Sequence, residues 1–293
     1  MKIKSLSVFI CMMLVTSPVL LKTVSANQDG DYIYTVSGGV ATITGYTGAG
    51  GNITIPSTLG GYPTGNIGIN AFLNCDILKS VTIPDSVSKI DVCAFACCSS
   101  LTNVTIGKNV TSIEGLAFEA CPFTSIVLPN SLTRIGYYSF GYDQNLTNIN
   151  IPNNVTSIGG EAFEFCYSLT SVNLSNSLTT IGYAAFNNCH SLTSISIPSG
   201  VTIIRTVTFQ DCWSLTSMVI PNSITTIEGS AFWNCFSLTS ISFLGMNPPY
   251  IEGGNGWILR TPSEIRGHAY SESKFPAPGG VFNISEDHKS ELH

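Results

Sequence analysis

Charge is scarce in this sequence. Only 10% of its 293 residues are Asp, Glu, Lys or Arg, and only four are histidine. Two of those, His288 and His293, lie in the polar end of the chain. So few imidazoles leave little for the common zinc sets or for His-based proton transfer. No Gly-rich phosphate loop, nucleophile elbow or zinc-binding helix motif occurs. The carboxylates are few and scattered, which disfavours a paired-carboxylate glycosidase without excluding one. The expectation is therefore a chain that is not an enzyme and needs no cofactor or metal.

Cationic residues are scarcer still. The first 26 residues carry Lys2, Lys4 and Lys22 and no acid, so 9 of the 12 Lys and Arg remain beyond them against 18 Asp and Glu, a net of −9. That sign is wrong for phosphate contacts, which excludes nucleic acid as an expected partner. Long apolar runs are confined to the N-terminus. Lys2 and Lys4 precede an uncharged stretch from Leu6 to Leu21, and Val24-Ser25-Ala26 supplies small residues for cleavage. Residues 1–26 thus read as a secretory signal peptide. No later stretch is long enough to span a bilayer.

What is abundant is repetition. A small residue followed by Phe recurs as Ala71-Phe72, Ala94-Phe95, Ala117-Phe118, Ser139-Phe140, Ala162-Phe163, Ala185-Phe186, Thr208-Phe209 and Ala231-Phe232. The Phe spacings are 23, 23, 22, 23, 23, 23 and 23. The short interval follows from one residue missing after Cys121, where Phe123 stands in the place of a leucine. Each unit carries an L-x-x-I-x-I triad, as at Leu146/Ile149/Ile151 or Leu192/Ile195/Ile197. Apolar and polar residues alternate there, so the triad predicts a short strand with one buried face. Proline often follows, as at Pro84, Pro129, Pro152, Pro198 and Pro221, and closes the strand. The return stretch, with apolar residues three to five apart, predicts a turn and a short helical or irregular piece.

A 23-residue unit cannot bury its own apolar edge, but stacked units can, with parallel strands about 4.8 Å apart. The expected fold is one β-rich leucine-rich-repeat solenoid of about eight 23-residue repeats, with a parallel β-sheet on one face. The unit Ile-Pro-x-Ser/Asn-Val/Leu-Thr-x-Ile-Gly-x-x-Ala-Phe-x-x-Cys-x-Ser-Leu-Thr resembles the BspA-like leucine-rich repeats over about Ile53 to Phe243. That resemblance implies a secreted or cell-surface protein that mediates protein–protein interaction or adhesion, and it names no ligand.

The expected organisation is a signal peptide (1–26), an N-terminal β cap (27–52), the solenoid (53–243), an irregular C-terminal cap (244–284) and a disordered tail (285–293). The N-terminal cap reads as a hairpin, because Tyr32–Val36 and Val40–Thr44 flank Ser37-Gly38-Gly39. A strand is expected within Glu264–Tyr270.

Cysteine is ordered by the repeat. Cys75, Cys98, Cys121, Cys166, Cys189, Cys212 and Cys235 all sit three residues after the repeat Phe, and Asp143 fills that slot in the remaining unit. Cys93 and Cys97 lie off this register. One thiol per rung favours a ladder of buried free thiols over a disulfide framework, although adjacent rungs bring Cα atoms close enough for pairing.

Two columns are candidate binding surfaces. The residue after the ladder cysteine is Tyr167, His190, Trp213 and Phe236 in four consecutive units, with Trp233 nearby in sequence. Exposed rings at one repeated position point to a protein or sugar partner, and the bland alternative is that they pack on one another. Tyr137, Tyr138 and Tyr183 are further candidates. On the strand face, Thr102, Thr147, Thr170, Thr193, Thr216 and Thr239 form a hydroxyl column that offers a flat docking face, or simply reflects the strand propensity of threonine. The expected partner is an extracellular protein (matrix, receptor or another cell's surface) or a glycan. A carbohydrate-binding module and a passive spacer are the alternatives. The chain is expected to be a monomer.

Overall fold

The structure, a computed structural model, describes residues 26–245, 247–252, 258 and 266–268. The signal peptide, the 285–293 tail and most of the 244–284 cap lie outside the described residues.

The chain winds as a parallel β-solenoid. One wall is built from the triads: Leu78–Thr82, Asn103–Thr105, Asn148–Asn150, Ser171–Asn173, Ser217–Ile220 and Ser240–Phe243. Constant repeat length places each column on itself, so Asn148, Ile149 and Asn150 pair with Ser171, Val172 and Asn173. Isolated bridges, Thr105 to Val127 and Ser171 to Ser194, carry the ladder through the remaining units. A second wall, not anticipated from sequence, consists of two-residue strands such as Ser112–Ile113, Arg134–Ile135, Ser157–Ile158 and Thr180–Ile181, again parallel and in register. Both ladders run past Phe243. Tyr250–Ile251 pairs with Thr226–Ile227, and Arg266–His268 with Ser240–Ser242. The expected C-terminal strand therefore exists and continues the stack.

The third wall is turns. No helix forms among the described residues, because backbone bonds run to the next rung instead of along the chain. Asn70, Phe72 and Asn74 donate their N–H groups to the carbonyls of Val92, Ala94 and Ala96, and the pattern repeats from rung to rung. It needs left-handed backbone two residues before and two after each Phe, from Asn70 and Asn74 (φ 59° and 57°) to Ser230 and Asn234 (56° and 59°). Asn and Asp tolerate this region best, and Val207 at φ 51° tolerates it worst.

Side chains stack along the axis inside these walls. The eight repeat phenylalanines are almost fully buried and lie 4.8–5.8 Å apart, centroid to centroid. The widest gap, between Phe118 and Phe140, is the shortened unit. Phe123 wedges there, edge-on to both rings at 79° and 76°. The cysteine ladder consists of free thiols. From Cys98 on, each donates to the carbonyl of the preceding rung's Phe, as Cys189 to Phe163 at 3.3 Å and Cys235 to Phe209 at 3.2 Å. Burial pushes these thiols up, Cys235 to about 12 and Cys189 well above the ordinary range.

The N-terminal end is closed by a hairpin of Tyr32–Ser37 and Val40–Tyr46, whose turn uses Gly38 and Gly39 at φ 59° and 79°. Asn27–Asp29 adds a short exposed edge strand, and Val40–Tyr46 pairs in parallel with Tyr62–Ile67 to start the second wall. Ending the stack on a three-residue exposed strand limits edge-to-edge association.

Candidate functional site

The threonine column has an internal job. Thr102 donates its hydroxyl to the Lys79 carbonyl, and Thr147, Thr170, Thr193, Thr216 and Thr239 each donate to the carbonyl of the column residue one rung earlier, at 2.9–3.5 Å. A second such column, including Thr111, Thr133, Thr179 and Thr225, does the same at the second wall. These hydroxyl protons are committed along the axis, so each residue offers a partner only acceptor capacity. Asn109, Asn145 and Asn154 likewise each donate one amide N–H to a carbonyl of the preceding unit.

The aromatic column is brought together as read, and it is longer than expected. Tyr167, His190 and Trp213 form a parallel stack, with centroids 4.6 Å and 3.6 Å apart and planes within 23° and 7°. Phe236 adds a tilted ring 6.4 Å from Trp213. At the other end Phe165 meets Tyr167 edge-on, Tyr142 stacks on Phe165 at 4.4 Å, and Tyr138 follows. Tyr142 and Phe165 come from the left-handed column beside the ladder and were missed. Tyr137 and Tyr183 form a second patch, 6.4 Å apart and each about half exposed. Trp233 is half-buried and stands outside the stack, with its indole N–H buried and unbonded.

The stack fixes which ring surfaces are available. Tyr167, His190 and Trp213 turn their faces to one another and present their edges. Trp213 is 43% exposed and Phe236 54%, so the ribbon opens towards its C-terminal end. A pyranose packs flat on an aromatic face, and most faces here are already used.

Carboxylates line the ribbon. Glu161 accepts a short hydrogen bond from the Tyr137 hydroxyl. Glu164 accepts from the Asn187 amide at 2.6 Å. Burial pushes the Glu164 carboxyl up to about 7, and Glu161 adds to the rise while the Asn187 bond opposes it. Asp211 accepts from Trp213 Nε1 at 3.3 Å and from Asn234 at 2.8 Å, which orients the indole. Burial lowers the His190 pKa, with Asp211 opposing, which favours the neutral imidazole in the stack. Among the described residues no group of three or more His, Cys, Asp and Glu is placed to hold a metal, and no helix is long and apolar enough to cross a membrane.

Stacked 23-residue units, two parallel ladders and a Phe spine define a leucine-rich-repeat solenoid. A family model described as a BspA type leucine rich repeat region matches in six copies over residues 65–166 and 133–247. The chain belongs to the BspA-type leucine-rich repeat family. Among solved structures, a leucine rich repeat protein of T. pallidum is 28% identical, with a TM-score of 0.60 over 65% of this chain and 91% of that one. A leucine rich cell surface protein of Faecalibacterium prausnitzii is 26% identical, covering 78% of this chain and 94% of that one with a TM-score of 0.38. The pneumococcal vaccine antigen PcpA is 18% identical over 86% of this chain and 95% of that one, with a TM-score of 0.42. No curated protein matches the sequence.

Proposed function

We propose that this protein is secreted or held at a cell surface, and that it acts by binding another protein, as an adhesin or contact module, without catalysis. Repeat solenoids of this kind generally serve protein interaction. The observation that carries the reading is the aromatic ribbon from Tyr142 to Phe236, which leaves Trp213 and Phe236 about half exposed at one end. Contiguous exposed rings are costly to leave in water and are enriched at protein interfaces. The amino-terminal signal pattern supports export. A glycan partner fits less well, because the stacked rings keep their faces for each other. The threonine column serves the fold rather than the partner.

The test is a protein array and a glycan array probed with the purified chain. A Tyr167→Ala/Trp213→Ala/Phe236→Ala variant is run in parallel and checked for unchanged circular dichroism. Protein ligands lost by the variant support the reading. Glycan-only binding, or protein binding that the variant retains, overturns it.

A further inference from the structure

We propose that the ribbon and its carboxylates form a docking surface for a cationic protein segment, one that presents arginine or lysine side chains. The inference rests on the protein-binding reading and adds the partner's charge. From Tyr137 to Phe243 the chain has five carboxylates and a single Lys or Arg, Arg205. Arg205 is occupied by Glu228 at 3.5 Å. Asp143 is buried in the ladder, which leaves Glu161, Glu164 and Asp211 beside the rings. Among the described residues no Lys, Arg or His nitrogen lies within 4.0 Å of these three. Their bonds come from neutral donors: the Tyr137 hydroxyl, the Asn187, Asn234 and Gln210 amides and the Trp213 indole. Such donors orient a carboxylate without neutralising it, and at Glu164, which burial and the neighbouring Glu161 hold partly protonated near pH 7, an incoming cation would draw the carboxyl into its charged form.

Position adds to charge. Glu161 and Glu164 share a rung with Tyr167, and Asp211 shares one with Trp213 two rungs on, so two acid-and-ring rungs stand about 10 Å apart along the axis with the His190 rung between them. All three carboxylates are half-buried, where an incoming cation is screened less than at an open surface. A guanidinium suits this combination, since it forks onto a carboxylate while its weakly hydrated plane packs on an aromatic ring. The exposed rings of Tyr183 and Phe236, which lie outside the parallel Tyr167–His190–Trp213 stack, offer that packing. A second copy of this chain would bring the same acidic face against itself, which like-charge repulsion disfavours.

The experiment uses fluorescein-labelled dodecapeptides that differ only at four positions, filled by Arg, Lys, Ser or Glu. Their anisotropy is titrated with the purified protein at 50 and 500 mM NaCl. The expected order is Arg, then Lys, with Ser and Glu at least tenfold weaker. A Glu161→Gln/Glu164→Gln/Asp211→Asn variant is expected to lose at least tenfold for the Arg peptide, and salt to do the same. Glu161→Gln alone stands in if the triple variant changes the circular dichroism spectrum. Equal binding of the Arg and Ser peptides, or an unchanged Arg affinity in the neutralised variant, overturns the inference. The ring-truncated variant separates the two claims. A protein ligand lost on ring truncation but kept on neutralisation refutes the cationic partner and leaves protein binding standing. A ligand that neither variant loses refutes both.

Discussion

Asp143 occupies a slot that seven other rungs fill with cysteine, and it should make stability fall as pH rises. The carboxyl is fully buried. One oxygen accepts the Cys121 N–H at 2.8 Å, and the other, Oδ2, is buried without a partner. Burial pushes this carboxyl well above the ordinary range. The Cys121 bond opposes that shift, and Glu119 adds to it. A carboxyl whose folded pKa exceeds its unfolded value keeps its proton in the native state while the unfolded chain releases it. Stability is then fully present below the unfolded pKa, near 3.9, and declines as pH rises towards the folded one. The decline is about 1.4 kcal/mol per pH unit over that window, so pH 4 to 7 sets a ceiling of about 4 kcal/mol. Asp143→Asn keeps the size and the Cys121 acceptor without titrating, and Asp143→Cys restores the ladder residue. Urea unfolding at pH 4, 5, 6 and 7 measures each variant against the parent protein. Asp143→Asn should be near parity at pH 4 and progressively more stable above it, whereas Asp143→Cys, which leaves the buried Cys121 N–H without its acceptor, should start lower and gain on the parent with the same slope. A stability difference that does not change with pH would refute the argument, because the native carboxyl would then be ionised and accommodated.

Other consequences follow from the ladders. The six fully buried ladder thiols from Cys98 to Cys235 should resist a thiol reagent in the native state and react on unfolding, whereas half-buried Cys75 should react before them. Rapid native labelling of Cys189, read by mass spectrometry, would contradict the buried ladder. Phe163→Ala removes a ring stacked 5.4 Å from Phe140 and 5.5 Å from Phe186, and should cost about 3–5 kcal/mol in chemical denaturation. Gly182→Ala should destabilise strongly, because an added Cβ would lie 2.3 Å from the Gly160 backbone nitrogen. A thermal midpoint unchanged by that substitution would show the rungs to be looser than described.

The sequence made the interior legible because every buried position is repeated. A column of Phe at intervals of 23, or of Ile between polar residues, has only one consistent placement in a stacked repeat. Cys75 and its successors were readable as a ladder for the same reason, and the deletion after Cys121 announced itself through Phe123. The second wall was not legible. Strands such as Ser157–Ile158 are too short for alternation to show. Nor were the left-handed positions, since residues as unlike as Leu116, Tyr138 and Val207 adopt them and only rung-to-rung hydrogen bonds explain why. Of the candidate surface, spacing revealed Tyr167, His190, Trp213 and Phe236. It left open whether the rings pack on one another, as the first three do, and it could not reveal that Tyr142 and Phe165 join them from a different column or that the exposed threonines bond along the axis. Those facts depend on side-chain direction, which a repeat period does not encode.

Hydrogen–deuterium exchange of the purified protein, with and without a protein ligand captured from the array, tests the central claim most directly. The account predicts added protection in peptides spanning Tyr137–Tyr142, Glu161–Tyr167, Asn187–His190, Asp211–Trp213 and Asn234–Phe236, with the sheet wall unchanged. Protection centred on Thr147, Thr170, Thr193 and Thr216, with the ribbon unaffected, would contradict it.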